Sequence, residues 1–196
     1  MKLYYAPGAC SRATHIVLRE TGANVELVQV DIRAHKLVAT GEDYYAINPK
    51  GYVPALELDS GKLLTENLAI LEYLGDQTGL LAKTGDAARY HTIEWLAFIS
   101  SELHKTFSPF FHPAMPDAAK ALFQEKLQAR FALLDQHLAS NDYLAGDFGL
   151  ADAYAFTVLS WTAPLNIDIS RHTHLSAYMA RLAKRDSIKA AIAAEG

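Results

Sequence analysis

The hydrophobic pattern of this chain changes character once, near residue 80. Up to that point short apolar and β-branched runs alternate with turn residues and single helical stretches. Beyond it every apolar stretch recurs with a period near 3.6 residues. A chain of 196 residues patterned in this way is expected to form one compact unit of two subdomains, the first α/β and the second all helical.

In the first part, "KLYY" reads as a short strand. Ser11 to Thr21 follows as a helix, with Ala13, Ile16, Val17 and Glu20 at helical spacing and Gly22 closing it. The alternating, Val-rich "VELVQV" at 25–30 makes a second strand in a βαβ unit. Asn48-Pro49, Lys50-Gly51 and Ser60-Gly61 then punctuate two apolar runs that read as a hairpin, 55–58 with 62–64. Thr65 stands where an N-cap belongs, ahead of a helix carrying Leu68, Ile70, Leu71 and Leu74. The order is β-α-β, a loop or helix, then β-β-α. After the polar linker "GDQTGLLAKTGDA", helices are expected at 86–107, 117–139, 150–161, 174–184 and 187–194. There is no internal repeat.

About half of the residues are apolar (51%), enough for a sizeable core without staples. The single cysteine excludes a disulfide framework and a thiolate metal cluster, and it fits a reducing compartment. The first ten residues break into polar and turn residues too early for a signal-peptide core, and no run approaches a membrane span, so a cytoplasmic protein is expected. A net charge of −4 without any Lys/Arg-rich block argues against nucleic acid as a partner.

Three stretches carry chemistry. In "YYAPGACSRATH", Cys10 follows Pro7-Gly8 and opens a helix, where N–H groups and the positive end of the helix dipole favour thiolate. A lone cysteine is by default a small buried hydrophobe, but the loop position speaks against that reading. "CSRA" holds no second sulfur to resolve a mixed disulfide, so thiol chemistry here needs a thiol from outside. In "GYVPALEL", Val53-Pro54 before a strand is a candidate cis peptide that would leave the Val53 backbone free to pair with an extended ligand. In "LTENLAIL", Glu66 and Asn67 open a helix. Plain capping is one reading; the other is that the carboxylate receives an ammonium group while the helix N–H groups receive a carboxylate.

Taken together, these stretches and "SSELHKTFSPFF" and "GDFGLADAYAF" resemble the cytosolic glutathione transferases, within them the bacterial beta class with a cysteine in the active site. The resemblance spans nearly the whole chain. It implies a thioredoxin-like N-terminal domain (βαβαββα, residues 1–80) that binds glutathione. It also implies an all-helical domain (86–196) that forms the pocket for the second substrate, and a homodimer. Carried over by residue, Cys10 contacts the glutathione sulfur or forms a mixed disulfide with it. Val53, ahead of Pro54, pairs with the cysteinyl backbone, Glu66 and Asn67 hold the γ-glutamyl end, and Lys36 lies near the glycyl carboxylate. His104 and Lys105 reach over the site from the helical half, and Tyr5 and Ser11 are further candidates for activating the thiol. Phe107, Phe110, Phe111 and His112 would wall the second-substrate pocket, although an aromatic run of this kind is also ordinary core.

Three departures from the family pattern stand out. Thr14 replaces a proline common in relatives and is expected to alter only helix geometry. His35-Lys36 replaces Lys-Lys, and Gly149 replaces the Ser or Thr N-cap, leaving Asp152 half of a capping box. His104 is by default a packing residue, and His172 and His174 read as solvated loop residues; no metal is expected. Two functions follow from the resemblance. One is an enzyme of detoxification that joins glutathione, as co-substrate, to electrophilic, mostly apolar small molecules, with exchange through Cys10 available to it. The other is a non-catalytic dimeric scaffold or regulator. The electrophile itself is not written in the sequence.

Overall fold

A computed structural model describes residues 1–196. The chain divides into two compact units, Met1–Lys83 with Arg185–Gly196, and Thr84–Lys184.

The first unit is built on a five-stranded sheet of order β3-β2-β1-β4-β5, from β1 (Lys2–Tyr5), β2 (Glu26–Asp31), β3 (Lys36–Leu37), β4 (Ala55–Glu57) and β5 (Leu63–Thr65). β1 and β2 run parallel, joined by helix α1 (Ser11–Glu20), and the other pairings are antiparallel. Side-chain alternation sorts the two faces of β1. Tyr4 joins Val30, Leu37, Tyr44, Val53 and Ala55 in a cluster on one face. Tyr5, on the other, meets His15 of α1 at 6.1 Å between ring centroids. Helix α2 (Asn67–Thr78) follows β5 and packs against α1, β4 and β5.

Between β2 and β4 the expected loop-or-helix is no α-helix. It is the two-residue strand β3 and a 3-10 turn, Tyr44–Ala46, so the second helix of the βαβαββα order is missing from this position. Gly41 and Asn48-Pro49 interrupt the segment, and its apolar residues Ile32 and Val38 face solvent, so no apolar stripe exists to hold a helix on the sheet. The segment is pinned instead by Tyr44, which is fully buried and donates its hydroxyl to the Tyr52 carbonyl at 3.0 Å.

Helix α8 (Asp186–Glu195) corrects the expectation that everything after residue 86 forms one helical half, because it belongs to the first unit and packs along α1. Its buried Ile188 and Ala191 form the apolar contact, and Arg185 at its start pairs with Glu20 at the end of α1. Periodicity announces a helix without naming the core that it joins.

In the second unit, helix α3 (Ala87–Phe98) is capped by Asp86, whose side chain accepts from Ala88 N–H at 2.9 Å. It continues through a π-helical segment, Ile99–His104, into the short helix α4 (Lys105–Phe107) and a 3-10 turn, Ser108–Phe111, in which Pro109 blocks further α-helix. Hydroxyl groups find carbonyls along this irregular stretch, Ser101 that of Ala97 and Thr106 that of Glu102, and Arg130 grips the Glu102 side chain at 2.9 and 2.6 Å. Helices α5 (Asp117–Leu138), α6 (Leu150–Leu159) and α7 (Thr173–Leu182) complete the unit. Every residue of α6 is buried, which explains a sequence that is apolar apart from Asp152 and Thr157. Its start is organised by Asp152, which accepts from Gly149 N–H (2.9 Å), Leu144 N–H (3.0 Å) and the Tyr178 hydroxyl (2.7 Å). That is the half capping box expected of a chain with Gly149 at the N-cap.

His172 corrects a second expectation. It is buried rather than solvated, with Nε2 3.0 Å from Gln128 Oε1 and its ring against Phe131, whereas His174 is exposed. No helix is long and apolar enough to cross a membrane, and no group of three or more His, Cys, Asp or Glu side chains could hold a metal ion.

Candidate functional site

In the first unit the chemistry gathers at the start of α1. The loop before it turns at Gly8, whose φ of +71° lies in the left-handed region that favours glycine. Ala9 N–H returns to the Ala6 carbonyl at 3.1 Å. Ser11 is fully buried, and its hydroxyl accepts from Ala6 N–H (3.2 Å) and donates to Ala6 C=O (3.3 Å). Ser11 therefore closes the loop, and its hydroxyl is committed to that task. Tyr5 is also buried, and its phenol is raised above its ordinary range by burial and then by the charge of Glu195. It stays protonated against His15.

Cys10 occupies the N-cap position of α1 and is half-buried, with Sγ donating to the Val53 carbonyl at 3.1 Å. Arg12 and Ala13 N–H are taken by the carbonyls of Ala9 and Cys10, so of the first-turn donors Ser11 N–H is the one these bonds leave to the sulfur. The Val53-Pro54 bond is cis and both residues are buried.

The N-terminus of α2 meets the same loop. Asn67 donates from Nδ2 to the Cys10 carbonyl at 3.1 Å and accepts from the Thr14 hydroxyl at 2.9 Å. Thr14 thus does more than change helix geometry, since its buried hydroxyl fixes the Asn67 amide. The N-cap of α2 is Glu66 rather than Thr65, which ends β5. Its backbone stands at φ 71°, ψ 120°, outside the ordinary regions for a residue with a side chain, and its carboxylate caps nothing. That carboxylate is instead an exposed partner of Lys50 Nζ at 2.6 Å, and Lys50 also reaches the Thr65 hydroxyl at 3.1 Å. The first-turn N–H groups of α2 accordingly carry no side-chain cap. Lys36 lies exposed on β3, and the neighbouring His35 stacks on Tyr45 with centroids 4.4 Å apart.

The second unit holds the remaining candidates. His104 ends the π-helical segment, with Nδ1 2.7 Å from the Tyr154 hydroxyl and its ring 5.1 Å from that of Trp161. Burial, and then the charge of Lys105, pushes its pKa down to about 4. It is neutral at physiological pH. The Nδ1–Tyr154 contact fixes the ring, and in the tautomer in which the Tyr154 O–H donates to Nδ1 the hydrogen is on Nε2, available as a neutral donor. Lys105 is exposed. Phe107 is fully buried between Phe131 and Trp161 and serves the core. Phe110 is half-buried and Phe111 and His112 are exposed, so these three are the aromatic groups left for a pocket.

Several participants escape a reading of the sequence. Lys50 sits in the conspicuous turn "NPKG", yet its pairing with Glu66 spans sixteen residues. Tyr154 lies fifty residues from His104, in a helix that reads as plain core.

Comparison with known proteins gives this arrangement its relatives. Residues 8–77 match the model of the glutathione S-transferase N-terminal domain, and residues 98–186 that of the C-terminal domain. The chain is 44% identical over 200 residues to glutathione S-transferase GstA of Escherichia coli O157:H7, covering 100% of this chain and 99% of that protein. A sphingomonad glutathione S-transferase solved in complex with glutathione is 47% identical, with a TM-score of 0.95 over 100% of this chain and 99% of that one. The bacterial beta class enzyme of Sphingomonas chungbukensis is 46% identical, with a TM-score of 0.95 and the same coverage. With both of its domains matched and relatives aligned end to end, the chain belongs to the glutathione S-transferase family, alongside its bacterial beta class.

Proposed function

We propose that this protein transfers glutathione to electrophilic, mostly apolar small molecules and that Cys10 gives it a second, thiol-exchange activity. The observation that carries this reading is the meeting of Cys10, the Val53 carbonyl and the uncapped N-terminus of α2 in one place. Glutathione lies along Val53 with its cysteinyl backbone. Its γ-glutamyl carboxylate takes the first-turn N–H groups of α2 and its ammonium takes Glu66, while Asn67 holds the two helix ends together. Lys36 supplies a cation for the glycyl carboxylate.

In conjugation, the glutathione thiolate attacks the electrophilic carbon. A C–S bond forms and the leaving group departs with its electron pair. His104 assists as a neutral donor and Lys105 as a cation, and Phe110, Phe111 and His112 contribute apolar wall to the second-substrate pocket. In exchange, the Cys10 thiolate attacks the glutathione sulfur of a mixed disulfide. A new S–S bond forms and the substrate leaves as thiolate and takes a proton. A second glutathione thiolate then attacks the bound glutathione sulfur, releasing glutathione disulfide and the Cys10 thiolate. The assembly is a homodimer in the cytoplasm, and monomer mass by light scattering at micromolar concentration would refute the dimer.

Retention on immobilised glutathione is the first test. The second is Cys10→Ala, which should abolish mixed-disulfide formation and exchange while conjugation survives in part, because conjugation needs only the substrate thiolate. In the wild type the pH profile of Cys10 alkylation should have its midpoint below ~8.5, the value of an unperturbed thiol. Full exchange activity in Cys10→Ala would make Cys10 a structural residue and the mechanism wrong.

A further inference from the structure

The last turn of the chain grips the loop that presents Cys10. Helices α1 and α8 run antiparallel, with Arg185 and Glu20 paired at one end and Glu195 and Arg12 at the other. The Glu195 side chain is 1% exposed. Its Oε2 accepts from Gly8 N–H at 3.0 Å and from Arg12 Nε at 2.8 Å, and its Oε1 lies 3.1 Å from His15 Nδ1. Arg19 donates from Nε to His15 Nε2 at 3.1 Å, so the ring hydrogen sits on Nδ1 and points at Glu195. Tyr5 on β1 completes the titratable groups around it.

A carboxylate can accept from all three donors, whereas an amide would turn its own NH2 against one of them. Burial by itself would raise this carboxyl, but the bonds from His15, Gly8 and Arg12 outweigh it and hold the group below the ordinary carboxylate range. Docking of α8 does not require such a buried charge, since Ile188 and Ala191 supply the apolar contact. The donors share something else: Gly8 lies two residues before Cys10, and Arg12 lies two residues after it. The same oxygen therefore clasps the backbone on one side of the thiol and the helix on the other. Ser11 closes the inside of this loop and Glu195 closes the outside.

We propose that Glu195 is a positioning residue for Cys10, fixing the loop from Gly8 to Arg12 so that the sulfur is held at the end of α1 beside the Val53 carbonyl. Its activity arm rests on the glutathione-transferase reading, and its thiol arm does not. Loss of the Glu195 charge and loss of its bonds act in opposite directions. Without a buried anion beside the first turn of α1, the Cys10 thiolate is favoured, and the Val53 carbonyl that faces the sulfur does not titrate. Without the clasp, the loop is free and reactions that need the sulfur placed against glutathione slow down.

The test compares Glu195→Gln with Glu20→Gln, which loosens the far end of the same helix pair. Glu195→Gln should lower the midpoint of the pH profile of Cys10 alkylation by iodoacetamide by about half a pH unit. It should also lower kcat for glutathione exchange, per titrated thiol, roughly tenfold while KM for glutathione moves less than about threefold. A thiol that ionises more easily in a slower enzyme is a combination that simple destabilisation does not produce. Glu20→Gln should lower Tm comparably and leave the midpoint and kcat within about twofold of wild type. Glu195→Asp keeps the charge on a shorter arm and should keep the wild-type midpoint with a reduced kcat; it decides the matter if the Gln variant does not fold. Equal loss of activity in Glu195→Gln and Glu20→Gln, or a wild-type midpoint and kcat in Glu195→Gln, would overturn the proposal. If the wild type neither binds glutathione nor catalyses exchange, the proposed function falls, and the alkylation midpoints still decide the role of Glu195.

Discussion

Replacing His104 by asparagine should flatten the pH dependence of the second unit's stability in one defined window. Burial, and after it the charge of Lys105, takes the imidazole from 6.5 down to about 4. Between these values the unfolded chain binds a proton at His104 that the folded chain refuses. The associated stability is complete above pH 6.5 and is lost as pH falls toward 4. At about 1.36 kcal/mol per pH unit, the displacement corresponds to about 3 kcal/mol. Asparagine places an acceptor near the position of Nδ1, where it can keep the Tyr154 hydroxyl bond, and it does not titrate. Urea unfolding followed by tryptophan fluorescence suits the measurement, because Trp95 and Trp161 both lie in the unit that holds His104. From pH 7 to pH 4 the wild type should lose about 3 kcal/mol more than His104→Asn. Carboxylates that are held low in the fold, such as Glu20 and Glu195, lose stability equally in both proteins and cancel in the difference. Parallel curves for the two proteins would show that His104 is protonated as readily folded as unfolded, and its role as a neutral donor would go with it.

Two further substitutions test the frame of the site. Gly51 stands at φ +70°, and a Cβ there would lie 2.6 Å from Tyr45 Cε1 and 2.9 Å from His35 Nδ1, so Gly51→Ala should cost about 2 kcal/mol or more by thermal unfolding; an unchanged Tm contradicts this. Asp152→Ala strands the donors of Leu144, Gly149 and Tyr178 at about 1–3 kcal/mol each. Its Tm should fall by roughly 10 °C or more, and a loss under ~1 kcal/mol would mean that water replaces the carboxylate.

The strands and helices were legible because their signals are local. Gly22 closes α1, Ser60-Gly61 turns the hairpin, and the 3.6-residue stripe of 117–139 yields α5 almost to the residue. Cys10, Val53-Pro54 and Glu66-Asn67 stood out for the same reason, each beside a turn or at a helix start. What the sequence hid depends on distant partners. The apolar stripe of α8 reads the same whether it covers the helical unit or α1, and the partners of Glu195 and Arg185 on α1 lie more than 160 residues away, out of reach of a local pattern. The hydroxyl of Ser11 looked available because nothing in "CSRA" reveals that Ala6 folds back onto it. His172, between polar neighbours, reads as solvated until Gln128 and Phe131 are seen to enclose it. The π-helical turn that ends at His104 has no signature in "ISSELH", since one extra residue in a turn leaves the composition unchanged.

Asn67 explains why the thiol and the uncapped helix can serve one ligand. It opens α2 and bonds the carbonyl of Cys10, which opens α1, so two helix N-termini are brought side by side. Both present the positive end of a dipole, and neither end helps the other. An amide tie with its orientation fixed by Thr14 holds them there, and the thiolate and carboxylate of the proposed function would relieve the electrostatic deficit. Glutathione carries both groups a few bonds apart. Two helix N-termini tied in this way would suit the glutathione of the proposed function, and the strained backbone of Glu66, at φ 71°, is where the chain bends without capping the N–H groups of α2. Had Glu66 adopted an ordinary capping conformation, its own carboxylate would occupy those donors and the site would bind itself.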